Sequence, residues 1–155
     1  MARRQPKIPA MNGRVLALDF GDRRIGLAAA STQNRSSSAI GTIMARGGVP
    51  DWPELDKAVR EWTPDLLVIG MPYNMDGTES AMTARVLQFV DVLIERYGLP
   101  VETVDERLTS VEARDLLKEQ RRQGVRRKKL KREDVDSLAA KLIAENWINQ
   151  SSLKP

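Results

Sequence analysis

The sequence predicts an α/β fold: a mixed sheet with helices on its faces. Three observations point there. Apolar runs at 14–20 and 24–31 are joined by Gly21-Asp22-Arg23-Arg24, which reads as a tight hairpin. The short run Leu66-Leu67-Val68-Ile69-Gly70 is apolar throughout, as a central parallel strand buried on both faces should be. From there to the C-terminus, helical and strand patterns alternate.

The elements follow in order. Residues 14–20 and 24–31 form the first two strands, and Ala39 to Ala45 forms a third after the polar stretch Thr32 to Ser38. Asp51 is placed to cap a first helix, which Trp52-Pro53 opens and Thr63-Pro64 closes. The strand at 66–70 leads into the loop Met71-Pro72-Tyr73-Asn74-Met75-Asp76-Gly77. A long helix is expected from Thr78 to Tyr97, stopped by Gly98. Pro100 to Asp105 is the next strand, and Thr109-Ser110-Val111-Glu112 matches a capping box that starts another helix. A last helix runs from Glu133 to Asn149, before a polar tail. Three strands in a meander followed by alternating units give the mixed sheet.

At 155 residues the chain fits one domain, large enough to bury roughly 70% of its unfolded surface. Residues 1–12 are expected to be a flexible tail, with Met11 a second candidate start, and 13–150 a single domain. No apolar run approaches the roughly 20 residues of a membrane span. No apolar segment follows Arg3, Arg4 and Lys7 to make a secretory signal, so a cytoplasmic protein is expected.

The chain has no cysteine and no histidine. That excludes the usual zinc sites, Ser-His-Asp and Cys-His catalysis, and any disulfide. A metal would be held by oxygen, which favours Mg²⁺ or Mn²⁺.

Asp19 is the first candidate ligand. It falls in Val15-Leu16-Ala17-Leu18-Asp19-Phe20-Gly21, a run that otherwise reads as a buried strand. An ionised carboxylate in such a place costs several kcal/mol unless it is paired or holds a metal. Asp is also an ordinary turn residue, and capping the turn into Gly21 is the bland alternative. Asp105-Glu106-Arg107 ends a strand before a helix, where sites in open α/β sheets gather. Alternation places Asp105 and Glu106 on opposite faces; Glu106 is preferred, although spacing does not decide between them. In the last helix Asp136 shares a stripe with Ala140, Ile143 and Trp147 and should face inward. Glu133 and Asp134 are explained as acids near a helix N-terminus, although Asp134 remains open as a further ligand.

The net charge of +4 is unevenly placed. Arg121 to Arg132 (RRQGVRRKKLKR) holds 8 basic residues and no acid, which leaves 17 basic against 21 acidic residues elsewhere. Concentrated positive charge suits a phosphate backbone. The residues expected to meet it are Arg121, Arg122, Arg126, Arg127, Lys128, Lys129, Lys131 and Arg132, with Arg23, Arg24 and Arg107 nearer the acids. Three carboxylates beside such a segment suggest a metal-dependent enzyme acting on nucleic acid. Two divalent ions about 4 Å apart can activate water and stabilise the leaving oxygen of a phosphodiester.

LALDFGDRRIGLAAA, LLVIGMPYNMDGTES, VDERLTSVEA and VDSLAAKLI, in that order, resemble the YqgF/RuvX family. That family is related to the RuvC Holliday junction resolvases. The four blocks cover most of residues 14–146 and are specific together, though weak singly. The resemblance implies a ribonuclease H-like fold with a five-stranded mixed sheet. It also implies a Mg²⁺- or Mn²⁺-dependent nuclease with Asp19, Glu106 and Asp136 as its acids. The expected task is trimming the precursor of 16S rRNA, with resolution of four-way DNA junctions as the alternative. Asn74 and Asp76, in the segment after the fourth strand, become possible substrate contacts; their alternative is turn chemistry. Tyr73 departs from a small aliphatic residue, and the basic segment is richer than usual.

Other readings are weaker. A nucleotide-binding domain of the actin and sugar-kinase type would need two such domains. A non-catalytic RNA-binding module would tolerate loss of Asp19. A junction enzyme would favour a homodimer, since it must cut two strands symmetrically.

Overall fold

The structure, a computed structural model, describes residues 13–106 and 132–153, with the side chains of 132–136 and 151–153 outside that description. The expected tail at 1–12, the helix starting near Thr109, Arg107 and the basic residues up to Lys131 all lie outside the described residues.

The chain order is β1 (Arg14–Asp19), β2 (Arg24–Ser31), β3 (Ser36–Arg46), β4 (Val49–Pro50), α1 (Trp52–Trp62), β5 (Leu66–Met71), α2 (Ala81–Tyr97), β6 (Val101–Asp105) and α3 (Arg132–Leu153). Among the described residues the sheet has six strands in the order β4-β3-β2-β1-β5-β6. β1, β2, β3 and β4 pair antiparallel in turn, while β5 and β6 join β1 in parallel. The sheet is mixed, as expected, but has one strand more than the five implied. The extra strand β4 is two residues long and pairs Pro50 with Ala45 and Val49 with Arg46. Gly47 and Gly48 make its turn at φ 58° and 81°, a two-residue hairpin that needs positive φ at both positions.

Period-two alternation divides the core into two layers. Leu16 and Leu18 of β1, Ile25 and Leu27 of β2, and Leu67, Ile69 and Met71 of β5 face one side. There they pack with Leu55 of α1 and with Val86, Phe89, Val90 and Leu93 of α2. Val15 and Ala17, Ala28 and Ala30, Leu66 and Val68, and Val104 of β6 face the other side, against Ala140, Ile143, Ala144 and Ile148 of α3.

β3 begins earlier than its apolar residues suggest, because Ser36–Ser38 pair with Ser31–Ala29 and the Ser37 hydroxyl lies 3.1 Å from Glu145 Oε1 of α3. Asp51 stands at the N-cap of α1 but makes no side-chain cap bond. α2 starts three residues later than expected. Ser80 and Thr83 form its capping box, each side chain accepting the other's backbone N–H. Gly98 closes α2 in the left-handed conformation. α3 runs to Leu153, past the expected end at Asn149. No helix among the described residues is long and apolar enough to cross a membrane.

Candidate active site at the carboxyl ends of the parallel strands

β1, β5 and β6 run in parallel, so their carboxyl ends meet at one edge of the sheet. Asp19 is the last residue of β1 and is half-buried. It sits at the strand end rather than within the strand, because the chain leaves the sheet at Phe20. The register that pairs Leu18 with Ile69 brings Asp19 level with Gly70 of β5, and Gly70 in turn pairs with Val104 of β6.

Alternation separates the two acids that spacing left open. Val104 belongs to the α3 layer, and Glu106, two residues on, lies on the same side. Its side chain rests over Gly70: a Cβ built on Gly70 would come within 2.5 Å of Glu106 Oε1 and 2.7 Å of Ile143 Cδ1. Asp105 alternates to the other side with Val101, which packs in the α1/α2 layer. Asp19 shares the parity of Val15 and Ala17, so it too belongs to the α3 side. Burial pushes the Glu106 carboxyl above its ordinary range, and the nearby Asp105 charge adds to this.

α3 runs antiparallel to these strands. Trp147 Nε1 donates to Glu102 of β6, and one turn earlier Ile143 reaches the space above Gly70. The N-terminal turns of α3 therefore extend toward the edge that carries Asp19 and Glu106. Asp136 stands there, four residues before the fully buried Ala140; its side chain lies outside the described residues.

On the opposite side, the turn after Asp19 is held by residues that sequence reasoning did not single out. The Phe20 ring lies 5.0 Å from that of Phe89. Arg85 of α2 pairs with Asp22, donates to the Gly47 carbonyl at 3.1 Å and lies over Phe20. Arg23 is exposed in this turn, and Arg24 opens β2. The turn after β5 uses its own polar groups. Asn74 Nδ2 donates to Thr78 Oγ1 at 3.0 Å, while Asp76 Oδ1 accepts from the Thr78 N–H and hydroxyl at 2.9 and 2.6 Å. Both side chains build the turn, the chemistry that Asn, Asp and Gly ordinarily do, and both stay exposed.

These residues fit a hard divalent cation. The donors are carboxylate oxygens, and Gly70 leaves the space that one of them fills. A carboxyl raised by burial and by a like charge is one that a cation would return to its ionised form. Among the described residues no group of three His, Cys, Asp or Glu gathers; the third predicted ligand, Asp136, has its side chain outside them.

The fold is that of the ribonuclease H-like resolvases. Fowlpox virus resolvase, solved with Holliday junction DNA, superposes with a TM-score of 0.55 at 10% identity, over 91% of this chain and 99% of that one. Thermus thermophilus RuvC, solved with a Holliday junction substrate, gives 0.55 at 11% identity, over 90% and 96%. Within that fold the chain belongs to the RuvX family, described as Holliday junction resolvase, whose model matches residues 13–150. A Glaesserella parasuis protein named "Putative pre-16S rRNA nuclease" is 42% identical over 142 residues, which is 92% of this chain and 100% of that protein. A Coxiella burnetii protein of the same name is 41% identical over 143 residues, 92% and 97%.

Proposed function

We propose that this chain is a divalent-metal-dependent nuclease that hydrolyses phosphodiester bonds in precursor 16S rRNA, with Asp19, Glu106 and Asp136 as its catalytic acids and metal ligands. The observation that carries the reading is the convergence of Asp19, Glu106 and the start of α3 at one edge of the sheet, around a glycine that leaves room for a carboxylate. The names of relatives at 41–42% identity favour precursor rRNA as substrate.

A pair of Mg²⁺ or Mn²⁺ ions supplies a nucleophilic water and offsets charge on the leaving oxygen when bound. Asp19, fixed at the end of a central strand, sets one side of the centre. Glu106 approaches from the end of β6 and lies over Gly70, where Ile143 of α3 also reaches. With no histidine in the chain, these carboxylates are the groups available to orient the attacking water. The basic residues of 121–132, with Arg23, Arg24 and Arg107, grip the phosphates on either side of the cut. The enzyme works in the cytoplasm as one domain over 13–150, and dimerisation is not required for trimming a single strand.

The test compares wild type with Asp19→Asn, in Mg²⁺ and in Mn²⁺, on a precursor 16S rRNA fragment and on a four-way DNA junction. Cleavage of the RNA that is lost in the variant, with binding kept, is the expected result. Undiminished cleavage by Asp19→Asn would overturn the assignment of the acids. Paired symmetric cuts in the junction, with the RNA left intact, would move the function to DNA recombination.

A further inference from the structure

Gly70 is the one glycine in an otherwise aliphatic β5, between two strands of the sheet. A glycine inside a strand weakens it, since it has no side chain to pack and more backbone freedom to lose. β5 has no backbone need for it either: Gly70 is not among the residues with positive φ. What the position does demand is space. A methyl group there would lie 2.5 Å from Glu106 Oε1, 3.0 Å from Glu106 Cγ and 2.7 Å from Ile143 Cδ1.

We infer that Gly70 is a positioning residue for the acidic centre: its bare Cα lets the Glu106 carboxylate lie on the sheet beside Asp19 and lets α3, which carries Asp136, close over both. The inference rests on the metal-site reading above. Glu106 and Ile143 come from different elements, β6's end and α3, and meet over the same atom. A side chain at 70 would therefore displace two parts of the centre at once.

The nature of the clash separates this role from ordinary packing. The closest atom is the far end of a flexible Glu side chain, which can swing away at little cost to folding. The carboxylate would then have left the place where a cation needs it. Gly70→Ala should thus damage metal binding out of proportion to stability. Groups that orient metal ligands typically change metal affinity about 10- to 100-fold when altered.

The experiment titrates Mn²⁺ alone into the full chain by calorimetry and follows Tm. It uses wild type, Asp19→Asn, Gly70→Ala and Gly70→Ala/Ile143→Val. Gly70→Ala is expected to bind Mn²⁺ about 10- to 100-fold more weakly, with Tm lowered by about 4 °C or less. Ile143→Val removes the Cδ1 that the new methyl meets, so it should recover Tm but not affinity. If Gly70→Ala alone does not fold, the double variant carries the comparison. Wild-type affinity in Gly70→Ala, alongside weakened binding in Asp19→Asn, would overturn the role of Gly70 and leave the metal site standing. Recovery of affinity together with Tm in the double variant would also overturn it, making Gly70 a seat for α3 only. Wild-type affinity in Asp19→Asn would overturn the metal-site reading and this inference with it.

Discussion

Glu106→Gln should make the metal-free protein more stable, by an amount that pH controls. The Glu106 carboxyl sits over Gly70 against Ile143, and burial, with Asp105 nearby, raises it above the ordinary value of 4.5. The folded chain then holds this proton more tightly than the unfolded chain does. Between 4.5 and the raised value, the folded state keeps the proton and the unfolded state releases it, so stability falls as pH climbs through that window. Below the window both states are protonated and the penalty is absent. Glutamine is neutral throughout and escapes it. Each unit of upward displacement is worth about 1.4 kcal/mol, and 1 kcal/mol moves the Tm of a domain this size by roughly 2–4 °C. At pH 7.5 without metal, Glu106→Gln should therefore melt above wild type by roughly 3–5 °C for each unit of displacement. The two should converge near pH 4. Mn²⁺ should reverse the order, since a ligand at 100 times its Kd stabilises by about 2.7 kcal/mol and only wild type offers the full set of acids. Differential scanning calorimetry from pH 4 to pH 8, with and without Mn²⁺, reads all of this. A variant that melts below wild type at pH 7.5 without metal would refute the reasoning. So would a difference at pH 4 as large as that at pH 7.5.

Three more outcomes are expected. Asp56 of α1 accepts from Arg96 at 2.9 and 2.7 Å and from the Tyr97 hydroxyl at 2.7 Å, and these bonds hold its carboxyl far below the usual range. Asp56→Asn should lower Tm at neutral pH, and urea titrations should show the gap closing as pH drops through and below the unfolded value of 3.8. Asp22→Ala and Arg85→Ala break the same pair, and Arg85→Ala also removes the bond to Gly47 and the contact with Phe20, so their double variant should lose no more stability than Arg85→Ala alone; additive losses would dissolve the clamp on the turn after Asp19. Replacing Arg126, Arg127, Lys128 and Lys129 by glutamine should weaken RNA binding and reduce the log–log salt slope by about one for each phosphate the chain no longer neutralises. An unchanged slope would make that segment a bystander.

The strands are legible where residue pattern and tertiary environment agree. The apolar run at 66–70 and the hairpin at 14–31 declare themselves, because each buries both faces of a central strand. The start of β3 does not, since Ser36–Ser38 carry no apolar signal and owe their place to β2 and to Glu145 of α3. The start of α2 is misleading because Thr78 looks like a cap in sequence, yet its hydroxyl is engaged by Asp76 and Asn74, leaving Ser80 to begin the helix. At the site, Asp19 stands out as a charge in an apolar run. The choice between Asp105 and Glu106 requires knowing which side of β6 meets α3, and that is a fact of register. In sequence Gly70 reads as a strand boundary. The warning is a glycine followed by one more strand residue, but the need for it lies in Glu106 and Ile143, 36 and 73 positions away.

The same alternation explains how the carboxylates can be held at a wet edge. Each stands beside a residue that faces the other layer. Asp19 precedes Phe20, which packs on Phe89 and beneath Arg85. Glu106 follows Asp105, whose side of β6 meets the α1/α2 layer at Val101. At Asp19 the anchoring is thus done by Phe20 on the side where α2 supplies bulk, while both acids emerge on the side of α3. A strand end fixed by its neighbour's packing can present a carboxylate with little motion, which a site requiring placement within about 0.5 Å demands. α3 completes the arrangement from the other direction. It is seated by Ala140, Ile143, Ala144, Ile148 and the Trp147–Glu102 bond, and its N-terminal end bears Asp136. Loosening that seat, rather than touching any acid, is the route by which a remote substitution such as Trp147→Phe would reach the chemistry.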